Sequence, residues 1–285
     1  MAFNSPERIV EIAAHTGKWK TRLSILRTLL LGFLAGAYIS LGFLLYIRVT
    51  AELPQDIWGS VSVLIGAGVF PLGLIFVIIA GGELLTGNMM TLITARLAKK
   101  ITTSHIIRNW TIITISNFIG ALFVAYFFGH VLGLTETGPY LERTISVAGS
   151  KISESFPKAF VSGIGANWLV CLAVWLAYAA NDIAGKVIGI WFPIMAFVAI
   201  GFQHVVANMF IIPAAIFAGY FNWIDYLFNF GAVFLGNLIG GAVFVGSFYW
   251  VSYGSDPNKS FASCSLFVSN CFFRCPFAPD GCGNP

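Results

Sequence analysis

The chain has 285 residues, 58% of them hydrophobic and 10% charged, with a formal net charge of +4 and a mean hydropathy of +0.83. Soluble domains carry about a quarter charged residues, so this composition excludes an ordinary soluble domain and indicates an integral membrane protein. The Lys and Arg residues sit at the ends of apolar runs, which leaves no footprint for nucleic acid. The apolar runs are also continuous, which argues against a membrane β-barrel and for an all-α fold.

Residues 1–27 form the first unit. Phe3–Arg27 predicts an amphipathic helix on the membrane surface, started by Ser5-Pro6-Glu7 with Ser at the cap and Pro at the first position. Arg8, Lys18, Lys20, Arg22 and Arg27 are expected to face lipid headgroups. The first apolar run is already a full span, so no cleavable signal peptide is expected.

Residues 28–253 are read as a channel-like domain of six spans, since about 20 apolar residues cross a bilayer as a helix. Span 1 is Leu29–Ile47, with Gly32, Gly36 and Gly42 along it. Span 2 starts near Ser60, carries Pro71, breaks at Gly81-Gly82 and resumes to about Ala98. Span 3 is Ile106–Leu132, and a loop is expected over Gly133–Pro157. Span 4 is Ala159–Ala180, span 5 is Val187–Gly219 with a break at Gly201–His204, and span 6 is Tyr226–Tyr253. With the N-terminus inside, most basic residues fall on the cytoplasmic side. Only Arg48, Arg143, Lys151 and Lys158 then lie outside. Both termini of this multi-pass protein are therefore expected in the cytoplasm, with the spans in the cell membrane. Residues 254–285 carry Cys264, Cys271, Cys275 and Cys282 at a spacing that fits no zinc motif. They read as a cytoplasmic, disordered tail, and no metal site is expected.

The halves resemble one another. Asn117-Phe-Ile-Gly matches Asn237-Leu-Ile-Gly at an offset of 120 residues. At the same offset Asn109 meets Asn229, Glu83 meets Gln203, and Asn88-Met89 meets Asn208-Met209. Three spans is an odd number, so the second copy must enter the membrane upside down. Such 3+3 inverted repeats with broken helices put the permeation site at the repeat interface.

The chemistry centres on Gly201–Pro213, GFQHVVANMFIIP, where His204 lies deep in an apolar run. An ionisable group at bilayer depth is a functional candidate. Broken helix ends expose N–H groups that attract anions, and an imidazole beside them suits a small monovalent anion moved with a proton. Glu83, at the other break, reads as structural. Thr86, Asn88, Asn208 and Asn237 can line a pore or join helices. Phe70, Leu74, Leu85 and Phe197 flank the breaks and are candidates for apolar constrictions. The enzyme readings fail: there is no G-x-S-x-G elbow. A haem-binding membrane redox protein would need a second deep histidine. No cofactor is expected.

Four stretches, GFQHVVANMFIIPAA, GANWLVCLAVWLAYAA, GGELLTGNMM and GNLIGGAVFVG, together resemble the formate/nitrite transporter family, most of all its formate channels. The resemblance implies a homopentamer with one aquaporin-like pore per protomer. It also implies transport of formate or related small monovalent anions, with a nitrite or hydrosulfide channel of the same fold as the alternative. By motif, His204 is the central pore histidine and Thr86 its partner on span 2. Asn167 opens the span-4 motif, Lys151 falls on the basic residue near the outer vestibule, and Asn237 falls on the span-6 asparagine. The chain departs from the pattern at Gln203, where many members carry a glutamate, and in its tail.

Overall fold

The computed structural model describes residues 3–53 and 55–254; the cysteine-bearing tail lies outside the described residues. Ten helices organise the described chain. They are α1 (Pro6–Lys20), α2 (Ile25–Thr50), α3 (Ser60–Gly81), α4 (Leu85–Leu97) and α5 (Thr103–Val131). The second half holds α6 (Pro139–Ile152), α7 (Phe156–Ala179), α8 (Ile183–Ile200), α9 (Val205–Phe217) and α10 (Trp223–Tyr253). A single helical turn, Gln55–Trp58, precedes α3. Six of the helices (α2, α3, α5, α7, α8 and α10) are long and apolar enough to cross a membrane. Between α3 and α4 three residues, 82–84, lie outside the helices, and between α8 and α9 four, 201–204.

Helix starts follow elementary capping chemistry. Asp182 accepts from the Gly185 N–H at 2.8 Å, and Asn222 accepts from the N–H groups of Ile224 and Asp225 at 2.9 and 3.1 Å. Proline occupies the first turn of α1, α6 and α7, where its missing N–H costs nothing. Part of α3, α5 and α10 is π-helical, over Phe76–Gly81, Val124–Val131 and Gly240–Ser247.

α4 and α9 form the centre. Every residue from Leu85 to Leu92 and from Val205 to Ala215 is buried. Around them α2 packs along α5, and α7 along α10. Both pairs are held close by glycine. A Cβ at Gly36 or Gly120 would collide with the backbone of Asn117 or Phe33, and one at Gly236 or Gly240 with the carbonyls of Phe160 or Ile164. Such close approach is how helices associate where lipid gives no hydrophobic drive. Large apolar side chains such as Leu30, Ile119, Phe228 and Val251 stand exposed on the outside.

Two sequence expectations need correction. The segment Gly133–Pro157 is not a plain loop, because residues 139–152 fold as α6, which packs on α9. Its start, Gly138-Pro139 with Glu142 in the first turn, is a helix N-terminus. The N-terminal helix ends at Lys20, with Arg27 already in α2, and it packs on α4 and α7. Lys20 turns inward to Glu83 instead of outward to headgroups. Backbone contacts tie the chain start to the end of α7: the Asn4 N–H donates to the Ala179 carbonyl at 2.9 Å.

Gly120→Val is expected to lower the stability of the α2–α5 pair by about 1–3 kcal/mol through overpacking. Gly68→Ala, where an added Cβ meets nothing within 4 Å, is the control. Thermal unfolding of the detergent-solubilised protein, with a clear loss for the first and none for the second, checks this.

Candidate functional site

The five helices of the second half follow the five of the first in chain order, at spacings of 120 to 133 residues between their starts. α4 and α9 are offset by 120 residues, and α2 and α7 by about 131 at their starts. The gaps between α3 and α4 and between α8 and α9 are built alike. Gly81 and Gly201 end their helices with φ of +101° and +90°, a left-handed conformation that glycine takes without strain. Three extended residues follow in each case, ending at Leu84 and His204.

These buried, non-helical backbones need partners, and two asparagines supply them. Asn117 Oδ1 accepts from the Leu85 N–H at 3.0 Å, and its Nδ2 donates to the carbonyls of Gly32 and Glu83 at 2.8 and 2.9 Å. Asn237 Oδ1 accepts from the Val205 N–H at 2.9 Å, and its Nδ2 donates to the carbonyls of Gly163 and Gln203 at 2.8 and 3.0 Å. Each asparagine is fully buried and uses every hydrogen-bonding atom of its amide. Asn167 adds a cross-tie by donating to the carbonyls of Asn237 and Thr86 at 2.7 and 3.3 Å. Asn167 and Asn237 thus hold backbone, and neither lines the cavities described below.

A second matched pair lies one turn further on. Asn88 Nδ2 donates to Glu83 Oε2 and Asn109 Oδ1 at 2.9 and 3.0 Å. Asn208 Nδ2 donates to Gln203 Oε1 and Asn229 Oδ1 at 2.7 and 2.8 Å. The lysines enter from α1 and α6 at an offset of 131. Lys20 Nζ donates to Glu83 Oε1 and Asn88 Oδ1, both at 2.8 Å. Lys151 Nζ donates to the carbonyls of Gly201 and Phe202 at 3.0 and 3.3 Å. Gln203 Nε2 donates to Glu154 Oε2 at 2.8 Å. Burial pulls the Lys151 ammonium down from the ordinary lysine range to about 8, against the opposing pull of Glu154. Its charge is therefore present at neutral pH and is lost as pH rises through that value.

His204 joins the two halves. As the N-cap of α9, its Nδ1 accepts from the Ala207 N–H at 3.2 Å, and its Nε2 lies 3.0 Å from Thr86 Oγ1 on α4. With Nδ1 an acceptor, the ring hydrogen sits on Nε2 and is donated to the Thr86 hydroxyl. The other described histidines make their contacts elsewhere, His15 with Lys100, His105 with Thr102 and His130 with Glu136.

Cavities lie on both sides of this contact. A vestibule of about 380 Å³ on the Lys151 side is lined by Arg143, Lys151, Glu154, Phe70, Phe197 and His204, with Asn208 among the further lining residues. Phe70 and Phe197 meet edge to face across it at 5.6 Å. Past them a void of about 10 Å³ touches Leu74, Leu84, Phe197 and His204. A third, of about 30 Å³, reaches Lys20 and Asn88 past Leu74 and Leu84. Leu74, Phe70 and Phe197 are thus brought together around His204. Leu85 lines none of these cavities: its side chain is fully buried and its N–H is taken by Asn117. The neighbouring Leu84 stands in its place. Leu84, Lys20 and Arg143 are site residues that the sequence does not mark as such: it places Lys20 at the headgroups and Arg143 only on the outer side, although the spacing of Lys20 to Lys151, equal to that of Gly32 to Gly163, carries a signal for Lys20.

A family model described as formate/nitrite transporter matches residues 7–251. The chain belongs to the formate/nitrite transporter family. It is 61% identical over 241 residues to an uncharacterized transporter, YrhG, of Bacillus subtilis (strain 168), covering 85% of this chain and 90% of that protein. It is 56% identical over 241 residues to the formate channel BtFdhC of Bacillus thuringiensis, covering 85% and 92%. A solved pentameric formate channel with formate bound superposes with a TM-score of 0.70 at 31% identity, covering 81% of this chain and 98% of the other. With its six membrane-length helices, this member of the family is a multi-pass membrane transport protein and not an enzyme.

Asn237→Ala leaves the Val205 N–H and the Gln203 carbonyl of the break without this partner, and should cost about 1–3 kcal/mol for each group stranded. Asn237→Asp should also destabilise, because its second oxygen would face the Gly163 and Gln203 carbonyls. An unchanged unfolding temperature for either variant in detergent would sink the assigned clamp.

Proposed function

We propose that this protein is a formate channel of the cell membrane, assembled as a homopentamer with one pore in each protomer. In this reading α1–α5 and α6–α10 are two copies of an aquaporin-like inverted repeat. Spans 2 and 5 are broken, at residues 82–84 and 202–204, and the breaks meet near the midplane. The matched asparagine clamps at a fixed offset support this arrangement. The observation that carries the pore assignment is the His204–Thr86 contact. It joins the last residue of one break to the first turn of the helix after the other, and His204 lines both the vestibule and the small void beyond the aromatic pair.

The pathway runs from the Lys151 vestibule, past Phe70 and Phe197, across His204 and Thr86, between Leu74 and Leu84, to the Lys20 side. Lys151 draws the anion in. Asn208 holds the vestibule end of α9, while Asn167 and Asn237 keep the breaks in shape. Stripping water from formate at the aromatic pair costs on the order of several kcal/mol, and formic acid escapes that cost because it carries no charge. The proton passes through His204. In this step water of the acidified vestibule gives a proton to Nδ1, the ring gives up the hydrogen on Nε2 to Thr86 Oγ1, and the Thr86 hydroxyl hydrogen goes to formate, so that one proton leaves the vestibule for each formic acid formed. Taking the proton on Nδ1 releases the Ala207 N–H, so proton passage and the α9 cap are coupled.

Proteoliposomes offered formate, nitrite, hydrosulfide or chloride test the substrate, with formate uptake expected to rise as the outside is acidified. His204→Phe loses both cap and proton site and should strongly reduce that uptake. His204→Asn can still cap α9 and should leave a leak that no longer responds to pH. Wild-type rate and pH response in both variants would make the histidine structural.

The apolar outer faces of α2, α5 and α10 motivate the assembly, and native mass spectrometry should find five copies. Both termini are proposed to be cytoplasmic, so a cysteine placed at Asn4 should resist labelling from outside intact cells.

A further inference from the structure

The vestibule holds a second cation that the pathway described so far does not use. Arg143 stands two turns before Lys151 on α6, on the same helix face, and both line the 380 Å³ cavity. Its guanidinium is held from α2: Nε donates to Thr50 Oγ1 at 3.0 Å and Nη2 to Tyr46 Oη at 2.6 Å. The Tyr46 ring also lies beneath it, 5.3 Å from ring centre to the guanidinium carbon. Nη1 has no partner among the described residues, so one edge of the fork stays open toward the vestibule. The vestibular carboxylate, Glu154, is already engaged by Gln203 Nε2, and no ion pair joins it to Arg143 among the described residues.

We propose that Arg143 is an anion-docking residue that selects carboxylates ahead of the constriction. A planar guanidinium held rigid by two oxygens, with an open edge, matches the two parallel oxygens of a carboxylate. A halide is spherical and gains only the charge. Lys151, a compact ammonium bound to two backbone carbonyls, supplies attraction without that shape. The inference rests on the proposed formate flux and concerns its first step, the capture of the anion from water, rather than the passage at His204.

The test is a KM-against-kcat split in proteoliposome flux, with chloride as competitor. Arg143→Gln should raise the half-saturating formate concentration roughly tenfold, as expected for losing a charge-assisted hydrogen bond, with little change in maximal rate. Arg143→Lys keeps the charge but not the fork. It should restore part of the formate affinity while making chloride a better competitor. Tyr46→Phe and Thr50→Val keep the charge but release the guanidinium, and should raise KM by smaller factors. An unchanged KM in Arg143→Gln, or Arg143→Lys behaving as wild type toward both anions, overturns the proposal. A fall in maximal rate alone makes Arg143 a strut between α2 and α6 and overturns it too. Absence of formate flux in the wild type would instead defeat the functional reading on which the inference rests.

Discussion

Backbone satisfaction is the constraint on which this structure turns. A helix that ends in an apolar interior exposes N–H and carbonyl groups that no water can reach, and each stranded group costs free energy. The chain ends helices there twice, at Gly81 and at Gly201, and answers each time with one asparagine from the helix that follows in its own half. Asn117 and Asn237 sit where α5 and α10 run against glycine-lined partners, so their amides reach both the extended residues and the neighbouring carbonyl. The glycine contacts, the asparagine clamps and the extended residues therefore form one unit, and loosening the helix pair would withdraw the clamp.

The two halves differ where charge enters. On one side Glu83 is ionic, and Lys20 and Asn88 between them occupy both its oxygens. Removing either charge there would leave the other buried and alone, which is costlier than never having the pair. On the other side Gln203 is neutral. Its Oε1 accepts from Asn208, as Glu83 accepts from Asn88, and from Asn229 as well, but it leaves Lys151 to the backbone carbonyls and Glu154 to its own amide. The Lys20 side thus carries a closed ion pair, while the Lys151 side carries a lysine not so neutralised, facing a roomy vestibule. In the proposed direction of uptake the vestibular lysine would attract the anion.

His204 stands at the meeting of these systems with two duties, capping α9 through Nδ1 and reaching Thr86 through Nε2. A ring so placed has one hydrogen and two bonds, with neither nitrogen idle. Any proposed proton step must therefore disturb a helix terminus, which sets it apart from a histidine that merely projects into water. The clamp at Asn237 bears on this directly, because it fixes Val205 and Gln203, the two residues flanking the ring.

The sequence by itself determined the membrane class, the six apolar runs, and the pairing of Glu83 with Gln203, Asn88 with Asn208 and Asn117 with Asn237. These follow from composition, from the length a bilayer demands and from linear spacing. Its reading stopped where position depends on which way a side chain turns. Lys20 and Lys151 share an offset of 131 instead of 120, because the run from the start of α2 to the start of α4 is 11 residues longer than the run from the start of α7 to the start of α9, so the 120-residue register does not pair them. Residues 139–152 read as a loop because a short polar-faced helix on a protein surface lacks the apolar run that marks a span. Only the tertiary structure decided that Leu84, rather than Leu85, faces the voids, because at a helix start one residue's shift along the chain turns the side chain by about 100°. The resemblance names Thr86 as the partner of His204, but no spacing or composition shows the contact itself: the two residues are 118 apart in the chain, and their meeting belongs to the packing of two half-helices against each other.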